Sequence, residues 1–307
     1  MQALLDVIAT LPRPSGPGRF FHGRGGLFPG CEQWVLDVYP PVWVLTSFAP
    51  VNDEDLARIG AALAARWAEV APGEPLNWMF QHRDEHRPTN RLMAGAIPDE
   101  HVVEEDGARF VVHLAQGQNH GFFLDMAEGR RWVRRWAAAH PGGRVLNLFA
   151  YTCAFSVVAL QAGAAAVANY DMARGALSTG RRNHQLNGVQ ERAAFHAHDI
   201  FSSWGKIRRG GPYDLVVLDP PSYQKGSFVA TKDYARLVRR LPELLAPGGH
   251  ALVCLNTPKL DTAFLRDLVA TEAPGLAFIE RVANPAAFAD ESEERSLKVL
   301  VYRQPAA

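Results

Sequence analysis

Apolar positions along the chain change their period several times, and each change marks an element. From Asp53 to Val70, Leu56, Ile59, Leu63 and Trp67 fall three or four residues apart. That is the spacing of an amphipathic helix, with Asn52 or Asp53 placed to cap it. Before it, WVLDVYP and VWVLTSF are runs of β-branched and aromatic residues parted by Pro40 and Pro41, which predict two strands and a turn. LNWMFQH reads as a further strand and the polar stretch Arg83 to Arg91 as its exit. VVEEDGARFVVHL predicts a hairpin, because Asp106-Gly107 tolerates the positive φ angles of a tight turn. Residues 1 to 30 give a short apolar helix, then RPSGPGRFFHGRGGLFPG, whose glycines and prolines predict a slightly basic loop. Residues 1–118 are therefore expected to form an N-terminal α+β domain with a possible role in positioning substrate.

Beyond a joint at Gly121 to Met126 the pattern becomes a regular alternation, which defines a second domain over residues 119–307. Ala127 to His140 is an amphipathic helix ended by Pro141-Gly142-Gly143. The next stretch, Arg144 to Asp171, reads as strand (Val145 to Phe149), small-residue turn (Ala150 to Ala154), helix (Phe155 to Gln161) and a second strand closing on Asp171. Helices are expected at Ala173 to Leu186 and Tyr234 to Leu245, and strands at AAFHAHD, DLVVLD, HALVCLN, LAFIERV and LKVLVYR. Strands alternating with helices predict an α/β fold, a Rossmann-like doubly wound sheet of seven strands. The last two strands, with no helix between them, are expected as an antiparallel hairpin at one edge.

Composition narrows the function without naming it. Lys plus Arg and Asp plus Glu are 32 each, so no global field attracts nucleic acid and any basic surface is local. Three widely spaced cysteines, Cys31, Cys153 and Cys254, fit neither a disulfide framework nor a zinc pattern, and point to a reducing, cytoplasmic compartment. Met1 to Thr10 has no basic residue to open a leader, and no apolar run is long enough to span a bilayer. His82 with His86, and His196 with His198, lack the H-E-x-x-H pattern, so no metal is expected. No Ser-His-Asp grouping is visible.

In an open α/β sheet ligands bind beyond the carboxyl ends of the strands. A dinucleotide site wants glycines in the first turn so that backbone N–H groups reach a pyrophosphate, and the turn Ala150 to Ala154 has none. An acid, Asp171, nevertheless stands where a ribose diol would be held. A ligand with a ribose and no pyrophosphate satisfies both facts; S-adenosyl-L-methionine is one. Its candidate contacts are Asn147, Phe149, Tyr151 and Thr152 after the first strand, Asp171 on the ribose, and Met172 against adenine, where core packing is the alternative. Asp199 is placed to accept from the adenine amine, with Phe201 beside it; helix capping is the competing role for each acid. Asp219, a further candidate contact of the cofactor, ends a fourth strand and opens DPPSY. Its prolines withdraw N–H donors and leave carbonyls beside an acid and a ring, which suits a planar base with an amino group. Asp219, Pro220, Tyr223 and Asn256 are the candidate catalytic residues. Lys206 to Arg209 and Lys225 to Arg240 form a basic patch around that loop, matched to RNA phosphates or to a solvated helix face.

LNLFAYTCAFSV, DMARGALSTGRRNHQLNG, HDIF and DPPSY resemble a bacterial family of class I S-adenosylmethionine-dependent methyltransferases that includes large-subunit rRNA C5-cytosine and N7-guanine methyltransferases. RFFHGRGGLFPG resembles the family's opening, and the hairpin followed by GFFLD resembles its G-x-F-L-D block, so the likeness covers nearly all the chain. The resemblance implies a methyltransferase-type sheet and methyl transfer to RNA, with transfer to a base nitrogen of rRNA favoured. A non-catalytic, cofactor-sensing RNA-binding protein, or a methyltransferase of small molecules or proteins, are the alternatives. Members often carry an N-terminal PUA domain, which this chain is expected to lack. The family turn reads Y-T-G where this chain has Cys153, small enough to keep the turn and cofactor binding if its backbone angles are ordinary, with a buried small apolar residue as the alternative. C5-cytosine members place a nucleophilic cysteine where this chain has Asn256, as N7-guanine members do; Cys254 lies two positions earlier, expected buried.

Overall fold

The computed structural model describes residues 1–83, 89–115, 117–224 and 226–306. It divides into one unit of Met1–Leu124 with Pro285–Glu293 and a second of Asp125–Asn284 with Glu294–Ala307. In the first unit the order is α1 (Gln2–Ala9), β1 (Gly18–His22), β2 (Trp34–Tyr39), β3 (Val42–Ser47), α2 (Asp53–Val70), β4 (Asn77–His82), β5 (Thr89–Ala94), β6 (Val102–Glu105) and β7 (Ala108–Val111). A five-stranded sheet runs β1-β2-β3-β4-β5, and β6 pairs with β7. The helix α2 joins the one parallel pair, β3 and β4, and is opened by the Asn52 side chain accepting from the Asp55 N–H at 2.7 Å. Its Leu56, Ile59, Leu63 and Trp67 pack with Leu4 and Ile8 of α1 on Trp34, Trp43 and Leu45 of the sheet. The β6–β7 turn takes positive φ at both Asp106 and Gly107, as its residues predict.

Two strands of this sheet depart from the sequence reading. The glycine- and proline-rich segment expected as a loop contains β1, because Arg19 and its register partner Asp37 make a two-point ion pair, at 2.7 and 3.0 Å, while Phe21 fills the core. The expected polar exit contains the start of β5. That strand is largely exposed and held by polar pairing such as Gln81 to Asn90 at 3.0 Å, so it lacks the apolar alternation that marks a strand.

The second unit continues with α3 (Ala127–Ala139), β8 (Arg144–Leu148), α4 (Ala154–Gln161), β9 (Ala166–Tyr170), α5 (Arg174–Leu186), β10 (Ala193–His196), α6 (Trp204–Gly210), β11 (Tyr213–Leu218), β12 (Tyr223–Gln224), β13 (Phe228–Val229), α7 (Ala230–Val238), α8 (Leu241–Leu244), β14 (Leu245–Leu255), α9 (Thr262–Glu272), β15 (Ala277–Arg281) and β16 (Lys298–Arg303). Its seven strands run β10-β9-β8-β11-β14-β16-β15. The first five are parallel, and β16 and β15 close the sheet antiparallel, as expected. The helix expected over Tyr234 to Leu245 is two helices, α7 and α8. Pro242 has no N–H to give the Val238 carbonyl, so one continuous helix cannot form.

A buried polar chain supports the strand ends. His184 stands against the Gly180 carbonyl through Nδ1 at 2.6 Å and against Ser156 through Nε2 at 2.8 Å. The Ser156 oxygen accepts from Asn169, whose Oδ1 accepts from Asn147 at 2.9 Å. This chain is satisfied by a neutral imidazole that donates from Nδ1 and accepts at Nε2. Burial pushes the His184 pKa down to about 4. The unfolded chain therefore takes up the proton first, and this residue's contribution to stability is lost as pH falls from about 6.5 toward about 4. We predict that the urea midpoint drops between about pH 7 and pH 4.5, and drops less in His184→Gln. Equal drops in both proteins would show that this histidine does not couple folding to pH.

Candidate functional site

Register fixes which side chains meet at the carboxyl edge of the seven-stranded sheet. Leu148 is opposite Tyr170 on one side and Leu218 on the other, and Tyr170 is opposite His196. Phe149, Asp171, Ala197 and Asp219 therefore leave neighbouring strands at one level. With strands about 4.8 Å apart, Asp171 and Asp219 flank the exit of β8 at about twice that spacing.

The exit of β8 is an unusual turn. Phe149, Tyr151 and Cys153 have φ of 57°, 47° and 63°, with residues of negative φ between them. Such alternation turns successive N–H groups toward one side, where they favour an anionic partner. Asp171 is that partner: its Oδ2 accepts from the Tyr151 N–H at 2.8 Å and its Oδ1 from the Ala173 N–H at 2.7 Å. Asn183 of α5 donates to the Thr152 carbonyl at 2.9 Å and braces the turn from below. Asn147 is almost fully buried in β8, and its amide donates to Asn169 inside the sheet. Its visible work is to hold the strand.

The condition of ordinary backbone angles at Cys153 is not met, although the turn is kept and the residue packs as a buried small apolar one. It occupies the left-handed region at φ 63°, ψ 32°, which favours glycine. The residue is completely buried. Gly180 of α5 makes room for it: a methyl group there would lie 2.6 Å from the cysteine sulfur. Burial, with Asp171 adding to it, pushes the thiol well up, so Cys153 is an inert packing residue.

On the β9 and β10 side, Met172 is 51% exposed, which disposes of core packing as its explanation. Asp199 lies beyond β10 and is exposed, its Oδ1 accepting from the Phe201 N–H at 3.0 Å. The Phe201 ring lies parallel to Phe228, which also touches Phe149 edge-on.

On the β11 and β14 side the structure gathers Asp219, Ser222, Asn256 and one residue not singled out as functional from sequence, Asp125. Asn256 donates from Nδ2 to Asp125 Oδ2 at 3.2 Å, and its carbonyl accepts from the Ser222 hydroxyl. Burial, reinforced by the Asp125 carboxylate, pushes the Asp219 pKa up to about 7. Asp125 follows an apolar run in GFFLDM; an acid directly after such a run was its signal, obscured because the segment also joins the domains. Pro220 is buried, and Tyr223 stands out at 68% exposure. Cys254, by contrast, is fully buried within β14, and burial with Asp219 and Asp125 raises its thiol pKa well above normal.

Lys225 and His86 lie outside the described residues. His82 ends β4, and the His196 and His198 rings stack 6.1 Å apart. Among the described residues no group of three or more His, Cys, Asp or Glu side chains could hold a metal ion. No helix among them is long and apolar enough to cross a membrane.

A family model described as S-adenosylmethionine-dependent methyltransferase matches residues 18–303. A ribosomal RNA large subunit methyltransferase I of Aeromonas salmonicida is 34% identical over 250 residues, covering 80% of this chain and 62% of that protein. The chain thus spans less than two thirds of that relative's length. The protein of the same name from Photobacterium profundum is 29% identical over 295 residues, covering 93% of this chain and 72% of its own. Among solved structures, a methyltransferase crystallised with SAH superposes with a TM-score of 0.80 at 23% identity, over 94% of this chain and 75% of that one, a likeness of fold.

The Cys153–Gly180 contact gives a direct test of the turn. Gly180→Ala should cost about 1–3 kcal/mol in denaturant unfolding, because neither the buried sulfur nor the helix can yield. In the Cys153→Gly background the same change should cost far less. Equal costs in the two backgrounds would show that the sulfur does not set the packing of this turn.

Proposed function

The chain belongs to the S-adenosylmethionine-dependent methyltransferase family, and on that premise we propose that it methylates a base nitrogen in RNA, with ribosomal RNA as substrate. The residues present fit the cofactor. Each Asp171 oxygen accepts one backbone N–H, which leaves each a lone-pair direction for a ribose hydroxyl. Asp199 spends Oδ1 on Phe201 and has Oδ2 for the adenine amine, and exposed Met172 can lie against the ring. Phe149, Tyr151 and Thr152 would line the methionine end, with Asn147 and Phe201 holding the frame from beneath. That a structure of the same fold was crystallised with SAH supports this reading.

S-adenosylmethionine supplies an electrophilic methyl group on a sulfonium that leaves as a neutral thioether. The protein then has two tasks, alignment and removal of a proton. Asp219 would accept from the amino group of an extruded base and take the proton released on methylation. The Pro220 carbonyl offers a second acceptor, since the proline pair has no N–H to compete for it. Tyr223, largely exposed, offers a stacking face, and Asn256, fixed by Ser222 and Asp125, closes another edge. The names of the Aeromonas and Photobacterium relatives support rRNA as the substrate.

The observation that carries nitrogen over carbon is the pairing of a near-neutral carboxyl with a buried thiol. Attack on ring carbon needs an accessible thiolate, and burial keeps Cys254 protonated and out of reach. Methylation of an amino nitrogen releases a proton that needs an acceptor, and the Asp219 pKa is pushed up to about 7. The carboxyl accepts only when ionised, so activity should fall as pH drops below about 7. Single-turnover rates measured across pH should show this acid limb, and Asp219→Asn should remove the limb and about 10²–10⁴-fold of the rate. A flat wild-type profile between about pH 5.5 and 8 would rule Asp219 out as the acceptor.

A further inference from the structure

Phe201, Trp204, Arg236, Arg239 and Arg240 line a cavity of about 230 Å³ in the second unit. Nothing in the methyl-transfer reading above uses these arginines. We propose that this cavity is a phosphate-binding subsite for the RNA strand that carries the target base, an inference that rests on the RNA reading.

Three observations converge on it. Each arginine is held by one carboxylate: Arg236 by Asp233 at 2.8 Å, Arg239 by Glu272 at 2.7 Å and Arg240 by Glu243 at 2.9 Å. In every pair the acid is less exposed than the arginine, 20% against 53%, 18% against 63% and 34% against 44%. The acids therefore hold the guanidinium groups from behind and do not line the cavity. A guanidinium has five N–H donors and each bond to a carboxylate here uses one, so most donors remain for an anion.

The second observation is stacking. Arg236 lies 3.9 Å over the Phe201 ring and Arg240 5.6 Å over Trp204. A guanidinium held beside a ring is fixed in place, which pre-orders its N–H donors for phosphate oxygens. Arg236 thereby covers one face of Phe201, and three guanidinium groups on its lining suit the cavity to a phosphate. Exposed ion pairs of this kind add little to stability, so these three pairs carry little of the fold.

The third is position. Phe228 touches Phe149 of the turn after β8 on one side and Phe201 of the cavity wall on the other, and it sits on β13, paired with the β12 strand that carries Tyr223. An anion held in the cavity thus lies one ring from the methyl-transfer cleft. The local charge agrees: residues 201 to 243 carry eight Lys or Arg against four Asp or Glu.

The test uses the full chain and a fluorescein-labelled, mixed-sequence, single-stranded 20-nucleotide RNA, followed by anisotropy over a range of salt, with SAH affinity measured by calorimetry as a check on the fold. Arg239→Gln and Arg240→Gln together should weaken RNA binding about tenfold and flatten the plot of log affinity against log salt by about 0.7 per arginine, with SAH affinity unchanged. Wild-type RNA binding with the same affinity and slope in the double variant would overturn the subsite and leave the RNA reading standing. A wild type that does not bind the RNA would overturn both. Loss of inorganic pyrophosphate binding in the double variant without loss of RNA binding would assign the cavity to a free anion and overturn the RNA assignment.

Discussion

The second unit depends on one carboxylate and two backbone N–H groups. Asp171 reaches from the end of β9 to the Tyr151 N–H at 2.8 Å and holds its own chain at Ala173 at 2.7 Å. With the Asn183 brace, that tie holds the turn after β8 with Phe149, Tyr151 and Cys153 at positive φ, each of which costs about 1 kcal/mol or more for a residue with a side chain. The same carboxylate is the proposed ribose ligand. Fold and cofactor recognition therefore share a residue, which couples the order of the turn to occupation of the site.

Across β8 the chemistry has the opposite character. Asp171 is satisfied by N–H donors, whereas Asp219 is half-buried near another acid, Asp125, and its pKa is pushed up to about 7. Two carboxylates at one sheet edge thus have different surroundings, and Asp219 is the one whose pKa lies near neutrality. Asn256 links this second group into the frame through Asp125 and Ser222. The cavity of arginines adds a third character, fixed positive charge, separated from the cleft by the Phe228 ring.

Much of this was legible in the sequence because it rests on periodicity and strand ends. The limits of α2, the order of alternating strands and helices, and the placement of Asp171, Asp199 and Asp219 beyond their strands all follow from local pattern. What was not legible depends on partners far away in the chain. The strand β1 forms through Asp37 and β5 through Gln81, and neither announces itself in its own residues. The Cys153 side chain has room only because Gly180 lies against its sulfur, a contact spanning a helix, a strand and part of another helix. Asp125 joins Asp219 and Asn256 across most of the second unit's sequence, the bond to Asn256 spanning 131 residues. The division of Tyr234 to Leu245 into two helices, by contrast, was available from Pro242 alone.

The central claim is transfer of a methyl group to a base nitrogen in RNA. Its most direct test is incubation of the protein with tritiated S-adenosylmethionine and ribosomal RNA from cells lacking the gene, followed by digestion and chromatography of the nucleosides. Tritium in an N-methylated nucleoside, absent with Asp219→Asn, is the result this account predicts. Tritium in a C5-methylated pyrimidine, or none in RNA at all, would contradict it.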